Sequence, residues 1–158
     1  MKKSTLFYSI LIAILSICIL LVILFKFILK PGVSGFDLEN KESIIIRDLD
    51  GKEAKLFSLF ENKEDTYLLI FSFNDCSSCI YRGIEELKAI KKAGRNCIAV
   101  VVHDYYEEIK SWSANQDFSP FVVLKRIDFY EHIKTATTPV LLKIGDGKIK
   151  NAFYIYPN

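Results

Sequence analysis

Hydrophobic and polar positions alternate in three different rhythms along this chain. From Leu6 to Phe25 there is no charged side chain, and polarity comes only from Tyr8, Ser9 and Ser16. A helix needs roughly 20 apolar residues to cross a bilayer core, so this run predicts a transmembrane segment. Apolar sequence continues through Phe27-Ile28-Leu29, well past the length of a signal-peptide core and without a small-residue cleavage site. The reading is an uncleaved signal anchor over 6–29. Residues 1–5, with Lys2 and Lys3, form a cytoplasmic tail that supplies the inner positive flank. The segment 30–35, Lys-Pro-Gly-Val-Ser-Gly, is a linker in which proline and glycine stop helix continuation.

From Phe36 onward the rhythm shortens, and residues 36–158 are enough for one core. Ile44-Ile45-Ile46, followed by Asp48-Leu49-Asp50-Gly51, predicts a strand entering a tight hairpin, with Leu56 to Phe60 returning to the core. Tyr67 to Phe73 is a continuous apolar run of strand length, the pattern of a strand buried on both faces. A 3.6-residue period then begins at Cys76, with Ile80, Ile84, Leu87 and Ile90 on one face and Gly94 as a stop. Ile98 to Val102 is a second buried strand. Asp104, with Glu107 three residues on, predicts a capped helix whose apolar face is Tyr105, Ile109 and Trp112. Phe121–Leu124 reads as a strand, Asp128–Ile133 as a short helix, and Val140–Ile144 with Lys148–Ile155 as a closing hairpin. Strands alternating with helices and ending in a hairpin predict an α/β domain with a mixed central sheet flanked by helices.

Charge narrows the range of partners. Residues 1–35 carry four lysines and no acid, so the remainder has 17 basic against 19 acidic side chains. That part is near neutral and shows no basic stripe, so no nucleic-acid footprint is present.

The chemistry lies at Cys76-Ser77-Ser78-Cys79, where a buried strand passes into a helix. The first turn of a helix has unpaired N–H groups and a partial positive charge, which stabilise a thiolate at Cys76. A lowered pKa makes that thiol a nucleophile. Cys79, one turn on, can then attack a mixed disulfide formed at Cys76. A zinc half-site would need a second ligand pair, and Cys97, His103 and His132 lack ligand spacing. A purely structural disulfide is the other alternative. Cys97 leads into a strand and reads as a buried, inert thiol, while Cys18 lies within the apolar span.

Four segments in order carry a resemblance: IIIRDLDGKEAKLFSLF, YLLIFSFNDCSSC, IAVVVHD and TTPVLLKIGDGKI. Over residues 42–156 the chain resembles the thioredoxin superfamily, more narrowly the membrane-anchored TlpA/ResA-type thiol–disulfide oxidoreductases. The resemblance implies a thioredoxin-like fold, with Cys76 as the attacking thiol and Cys79 as the resolving one, paired as a redox disulfide. It implies that Thr138-Pro139 is a threonine–cis-proline step that faces the cysteines and pairs with a substrate backbone. It implies neither a metal nor a cofactor. The partners would be dithiols or disulfides of exported proteins and a separate redox protein that supplies or accepts electrons. The location would be a bacterial cell membrane, single-pass, with the catalytic domain extracytoplasmic.

Three departures from the family pattern stand out. Asp75 occupies the position before the first cysteine where relatives often have tryptophan, and its carboxylate is expected to oppose thiolate formation. Ile70 stands where many relatives carry a buried acid. After the final hairpin only Tyr156-Pro157-Asn158 follow, so the relatives' terminal helix is expected to be absent, leaving Phe153, Tyr154 and Tyr156 near a partly bare face. The alternative function is a copper-delivery module resembling the Sco type, using Cys76, Cys79 and His132, although that family has three residues between its cysteines. A peroxidase would need proline and threonine or serine ahead of the cysteine, where Phe73-Asn74-Asp75 stand.

Overall fold

The apolar run that begins at Thr66 becomes the strand on which the rest of the domain is assembled. In the computed structural model the described residues are 36–38, 43–60, 65–135, 137–146 and 148–156. The expected tail, anchor and linker, with Cys18, lie outside them. Among the described residues no helix is long and apolar enough to cross a membrane.

The strands are β1 (Phe36–Leu38), β2 (Ile45–Asp48), β3 (Glu53–Lys55), β4 (Thr66–Ser72), β5 (Asn96–Val102), β6 (Phe121–Leu124), β7 (Ile133–Thr135), β8 (Val140–Gly145) and β9 (Lys148–Tyr154). The helices are α1 (Ser77–Lys92), α2 (Tyr106–Ser113) and α3 (Arg126–His132), with a 3-10 turn at Leu56–Phe60. Seven strands form one sheet in the order β3-β2-β6-β5-β4-β8-β9, and β1 pairs with β7 separately. β4 runs parallel to β5 and β5 to β6, whereas β8 is antiparallel to β4.

Period-two alternation sorts the sheet's side chains into two cores. Leu68 and Ile70 of β4, Val100 and Val102 of β5, and Val122 and Leu124 of β6 point to one face, where Ile44, Leu56, Phe129 and Ile133 cover them. Leu69 and Phe71, Ala99 and Val101, and Phe121 and Val123 point to the other, beneath Ile80, Ile84 and Leu87 of α1 and Ile109 of α2. α1 lies close to the sheet at Gly83, where a Cβ would come within 2.8 Å of Leu69 Cδ1. Gly94, at φ +74°, ends this helix as its position predicts.

Three expectations need correction. Asp104 does not cap α2: the residue before that helix is Tyr105, and no side chain caps it. The Asp104 carboxylate instead accepts from the backbone N–H of Arg126 at 3.1 Å, so it satisfies the first turn of α3. Tyr105 is 68% exposed, and the apolar face of α2 is completed one position later by Tyr106, whose hydroxyl donates to the Leu49 carbonyl. The short helix ends at His132, because Ile133 pairs with Leu38 in the two-stranded ladder. After β9, Ile155 packs toward α1 at Gly83, while Phe153 and Tyr156 are exposed.

The cores carry a stability prediction. Leu87 is fully buried between α1 and the sheet, so Leu87→Ala is expected to cost about 2–5 kcal/mol. Tyr130→Ala, at a position 71% exposed, should change stability by no more than about 0.5 kcal/mol. Urea unfolding of the full-length chain, followed by the fluorescence of its single tryptophan, Trp112, measures both.

Candidate active site

The two cysteines of the motif differ in surroundings because the helix period separates them. β4 ends at Ser72, and a turn closed by the Asp75 N–H on the Ser72 carbonyl (3.0 Å) redirects the chain into α1. Cys76 is the cap residue, its carbonyl accepting from the Ile80 N–H at 3.0 Å, and it is exposed. Cys79 joins Ile80, Gly83, Ile84 and Leu87 on the buried stripe of α1 and is 2% exposed. Both are free thiols, so this is the dithiol form.

Hydrogen bonding separates their acidities. The Cys79 thiol donates to Cys76, the Ser78 hydroxyl does the same, and the backbone N–H groups of Cys79 and Ser78 add to it. Together they lower Cys76 from the ordinary thiol value of 9.0 to about 7. The Ser78 oxygen stands 2.9 Å from Cys76 Sγ. Cys79 is pushed the opposite way, first by its hydrogen bond to Cys76, then by burial and by the charge of Cys76, with Asp75 adding a smaller push. One thiol is therefore about half ionised at neutral pH while its neighbour keeps its proton.

Asp75 does not act as its sequence position predicts. Its Oδ2 accepts from the Ser72 N–H at 2.7 Å, and its Oδ1 accepts from the Thr138 hydroxyl, also at 2.7 Å. Both carboxylate oxygens are occupied by these bonds, and the charge of Asp75 acts on Cys79, raising its pKa. Through Asp75 the structure brings Thr138 to the cysteine loop. Pro139 is buried directly behind Thr138, and its carbonyl accepts from the Ile155 N–H at 3.0 Å. The Thr138–Pro139 bond is cis, as the resemblance implies; so is Ser119–Pro120, to which nothing in the sequence pointed.

The remaining candidates sit apart from this constellation. Cys97 is buried in β5, its thiol donating to the Leu87 carbonyl at 3.6 Å, and burial raises its pKa. Ile70 lies in the sheet core. His132 ends α3 beside Glu131, 4.0 Å away. Among the described residues no group of three or more His, Cys, Asp or Glu side chains is gathered to hold a metal. The set Cys76, Cys79 and His132 that the copper reading needs is therefore not assembled here.

Sequence reasoning missed an apolar cleft of about 180 Å³ beside the cysteines, lined by Phe73, Ser77, Ile80, Tyr81 and Trp112. Trp112 reads in the sequence as a packing residue of α2. In the fold its ring meets Phe73, Phe121 and Phe71 edge-on, with centroids 5.0, 5.4 and 5.9 Å apart. The signal was Phe73, an aromatic residue three positions ahead of Cys76.

No protein-family model and no curated protein matches the sequence. Solved structures do match. BsSco, a member of the Sco family of cytochrome c oxidase assembly proteins, superposes with TM-score 0.57 at 18% identity, over 79% of this chain and 88% of that one. The thioredoxin domain of a thiol-disulfide oxidoreductase from Bacteroides vulgatus gives 0.54 at 16%, over 73% and 89%. The pneumococcal exposed lipoprotein thioredoxin from Streptococcus pneumoniae gives 0.51 at 19%, over 72% and 90%. The fold is thioredoxin-like.

The acidity split has a direct readout. Alkylation of Cys76 by iodoacetamide is expected to rise with pH around a midpoint near 7, because only the thiolate reacts and its pKa is about 7. Ser78→Ala removes a donor to that thiolate and should move the midpoint upward. A midpoint near 9 in the parent chain would remove the basis for the split.

Proposed function

We propose that this protein is a thiol–disulfide oxidoreductase of the TlpA/ResA type, anchored in a bacterial cell membrane and exchanging disulfides with exported proteins. The observation that carries the reading is the paired environment of an exposed Cys76 with a lowered pKa and a buried Cys79 with a raised one. Each half of an exchange reaction needs one of these. The attacking sulfur must be reachable and ionised, and the resolving sulfur must wait, protonated, until a mixed disulfide has formed.

In the reductive direction the Cys76 thiolate attacks one sulfur of a substrate disulfide. A Cys76–substrate disulfide forms and the substrate S–S bond breaks, releasing one substrate thiolate that takes up a proton. Once Cys76 is in a disulfide its negative charge and its accepted hydrogen bond are gone, and with them the two sulfur-based influences that raise Cys79. Cys79 loses its proton and attacks Cys76 Sγ, expelling the second substrate thiolate. The substrate disulfide has gained two electrons, and Cys76–Cys79 is the oxidised product. A separate redox protein must return two electrons for the next turnover; the oxidative direction is the same sequence reversed. Thr138–Pro139, held at the cysteine loop through Asp75, is the segment on which a substrate backbone would pair.

The pKa also bears on direction. A thiolate stabilised more strongly makes the dithiol form more stable and the disulfide more oxidising. Attacking thiols lie at about 7 in thioredoxin and about 3.5 in DsbA, and the respective potentials are about −270 and −120 mV. Cys76, at about 7, belongs with the first. The uncharged apolar run over 6–25, with Lys2 and Lys3 before it, supports extracytoplasmic placement.

Equilibration of the full-length chain in glutathione buffers, read by thiol alkylation, tests the reading. The expected result is one two-electron couple confined to Cys76 and Cys79, with a potential nearer −270 than −120 mV. Cys79→Ser should accumulate a mixed disulfide at Cys76, and Cys76→Ser should abolish exchange. If the pair never oxidises in these buffers, the proposed chemistry is wrong.

A further inference from the structure

The ladder between β4 and β8 stops short of the end of β4. Its last pair is Ile70 with Val140, yet β4 continues through Phe71 and Ser72, which pair with Val101 and Val102 of β5 alone. Carried two residues further in the same register, the ladder would set Ser72 opposite Thr138. No backbone bond closes that gap: the Ser72 N–H donates to Asp75 Oδ2, and the Thr138 hydroxyl donates to Asp75 Oδ1. One carboxylate thus stands where a strand pair would have been, and it belongs to the residue immediately before Cys76. The turn that carries it is fixed twice more, by Asp75 N–H to the Ser72 carbonyl at 3.0 Å and by Asn74 N–H to Ser72 Oγ at 3.3 Å. On its far side the Pro139 carbonyl is held by Ile155.

We propose that Asp75 is a positioning residue. Its carboxylate clasps the Thr138–Pro139 segment to the end of β4, and so sets the distance between a substrate backbone lying on that segment and the Cys76 sulfur. The inference rests on the exchange chemistry proposed above. A backbone-to-backbone pair at this point would occupy the ladder position that an extended substrate needs. A side-chain clasp holds the segment through its hydroxyl and leaves the approach to the motif to the substrate. Reaction between Cys76 and a substrate sulfur demands near-attack geometry, in which displacement by about 1 Å can cost about 100-fold in rate. Loss of the clasp should therefore affect polypeptide disulfides, which need the Thr138–Pro139 segment. Small reagents, which do not, should be unaffected.

The test uses the full-length chain and two separate readouts. The first is the amide exchange of Ser72, which does not depend on turnover. Its N–H is expected to be protected in the parent and in Thr138→Val, and to lose that protection in Asp75→Ala. The second compares reduction of a disulfide-bonded polypeptide, insulin, with alkylation of Cys76 by iodoacetamide. Asp75→Ala and Thr138→Val are each expected to lower kcat/KM for insulin by about 10- to 100-fold, mainly through kcat. The alkylation midpoint of Cys76 should stay in place, because its donors are Cys79, Ser78 and backbone amides. Thr138→Ser, which restores the hydroxyl, should recover most of the rate lost in Thr138→Val. The double variant should lose no more than Asp75→Ala alone. Continued shielding of Cys97 from alkylation verifies that each variant is folded. Unchanged insulin kinetics in Asp75→Ala, additive losses in the double variant, or a shifted alkylation midpoint would overturn the proposal. Ser72 protection that vanishes in Asp75→Ala while the parent chain never exchanges disulfides would instead place the failure in the exchange reading.

Discussion

Strand β4 has to be buried on both faces and hydrogen-bonded on both edges, and the site depends on how it ends. Leu68 and Ile70 serve one core, Leu69 and Phe71 the other. Burial of that kind leaves no room for a gradual exit, because every backbone donor along the way needs an acceptor. Where β8 stops pairing, the Ser72 N–H would be orphaned, and Asp75 supplies the acceptor from the turn itself. The same turn aims the chain into α1 with Cys76 as its cap residue. Strand termination, helix start and placement of Cys76 are thus one event at four consecutive residues beyond Ser72.

The difference between the two thiols begins with the helix period. At the cap, Cys76 projects out and gathers donors. One turn later Cys79 falls on the stripe that packs against the sheet. Each thiol then shifts the other, since the hydrogen bond that stabilises one as thiolate requires the other to remain a thiol. Any change that turned α1 about its axis would alter both acidities together. Gly83, packed against Leu69 with no space for a Cβ, keeps the helix at its present distance.

Much of this was legible in the sequence because it rests on local periodicity. The apolar run at Tyr67–Phe73, the stripe through Ile80, Ile84 and Leu87, and the Gly94 stop required only neighbouring residues to read. The motif's position between them followed. What could not be read depends on contacts between distant segments. β1 and β7 are three residues each, too short for a period, and exist through pairing with one another. Asp104 has every mark of a cap for α2, yet its acceptor is taken by Arg126, which follows the neighbouring strand β6. The Trp112 cleft needed Trp112 of α2 brought beside Phe73 and the start of α1, and the share of Ser78 in the acidity of Cys76 needed the geometry of the first turn.

Asp75 shows how far adjacency in sequence can mislead about electrostatics. A carboxylate beside a cysteine suggests repulsion of the thiolate, and the Coulomb argument is sound wherever the two charges face each other. Here each carboxylate oxygen accepts a short hydrogen bond from a different segment, and charge-assisted bonds of this kind fix the group's direction. Its charge acts on the buried Cys79, where a negative neighbour helps the thiol hold its proton. The residue that looked like an obstacle to a Cys76 thiolate thereby helps Cys79 stay protonated. Position along the chain identified Asp75 as unusual; only its hydrogen-bond partners say what it does.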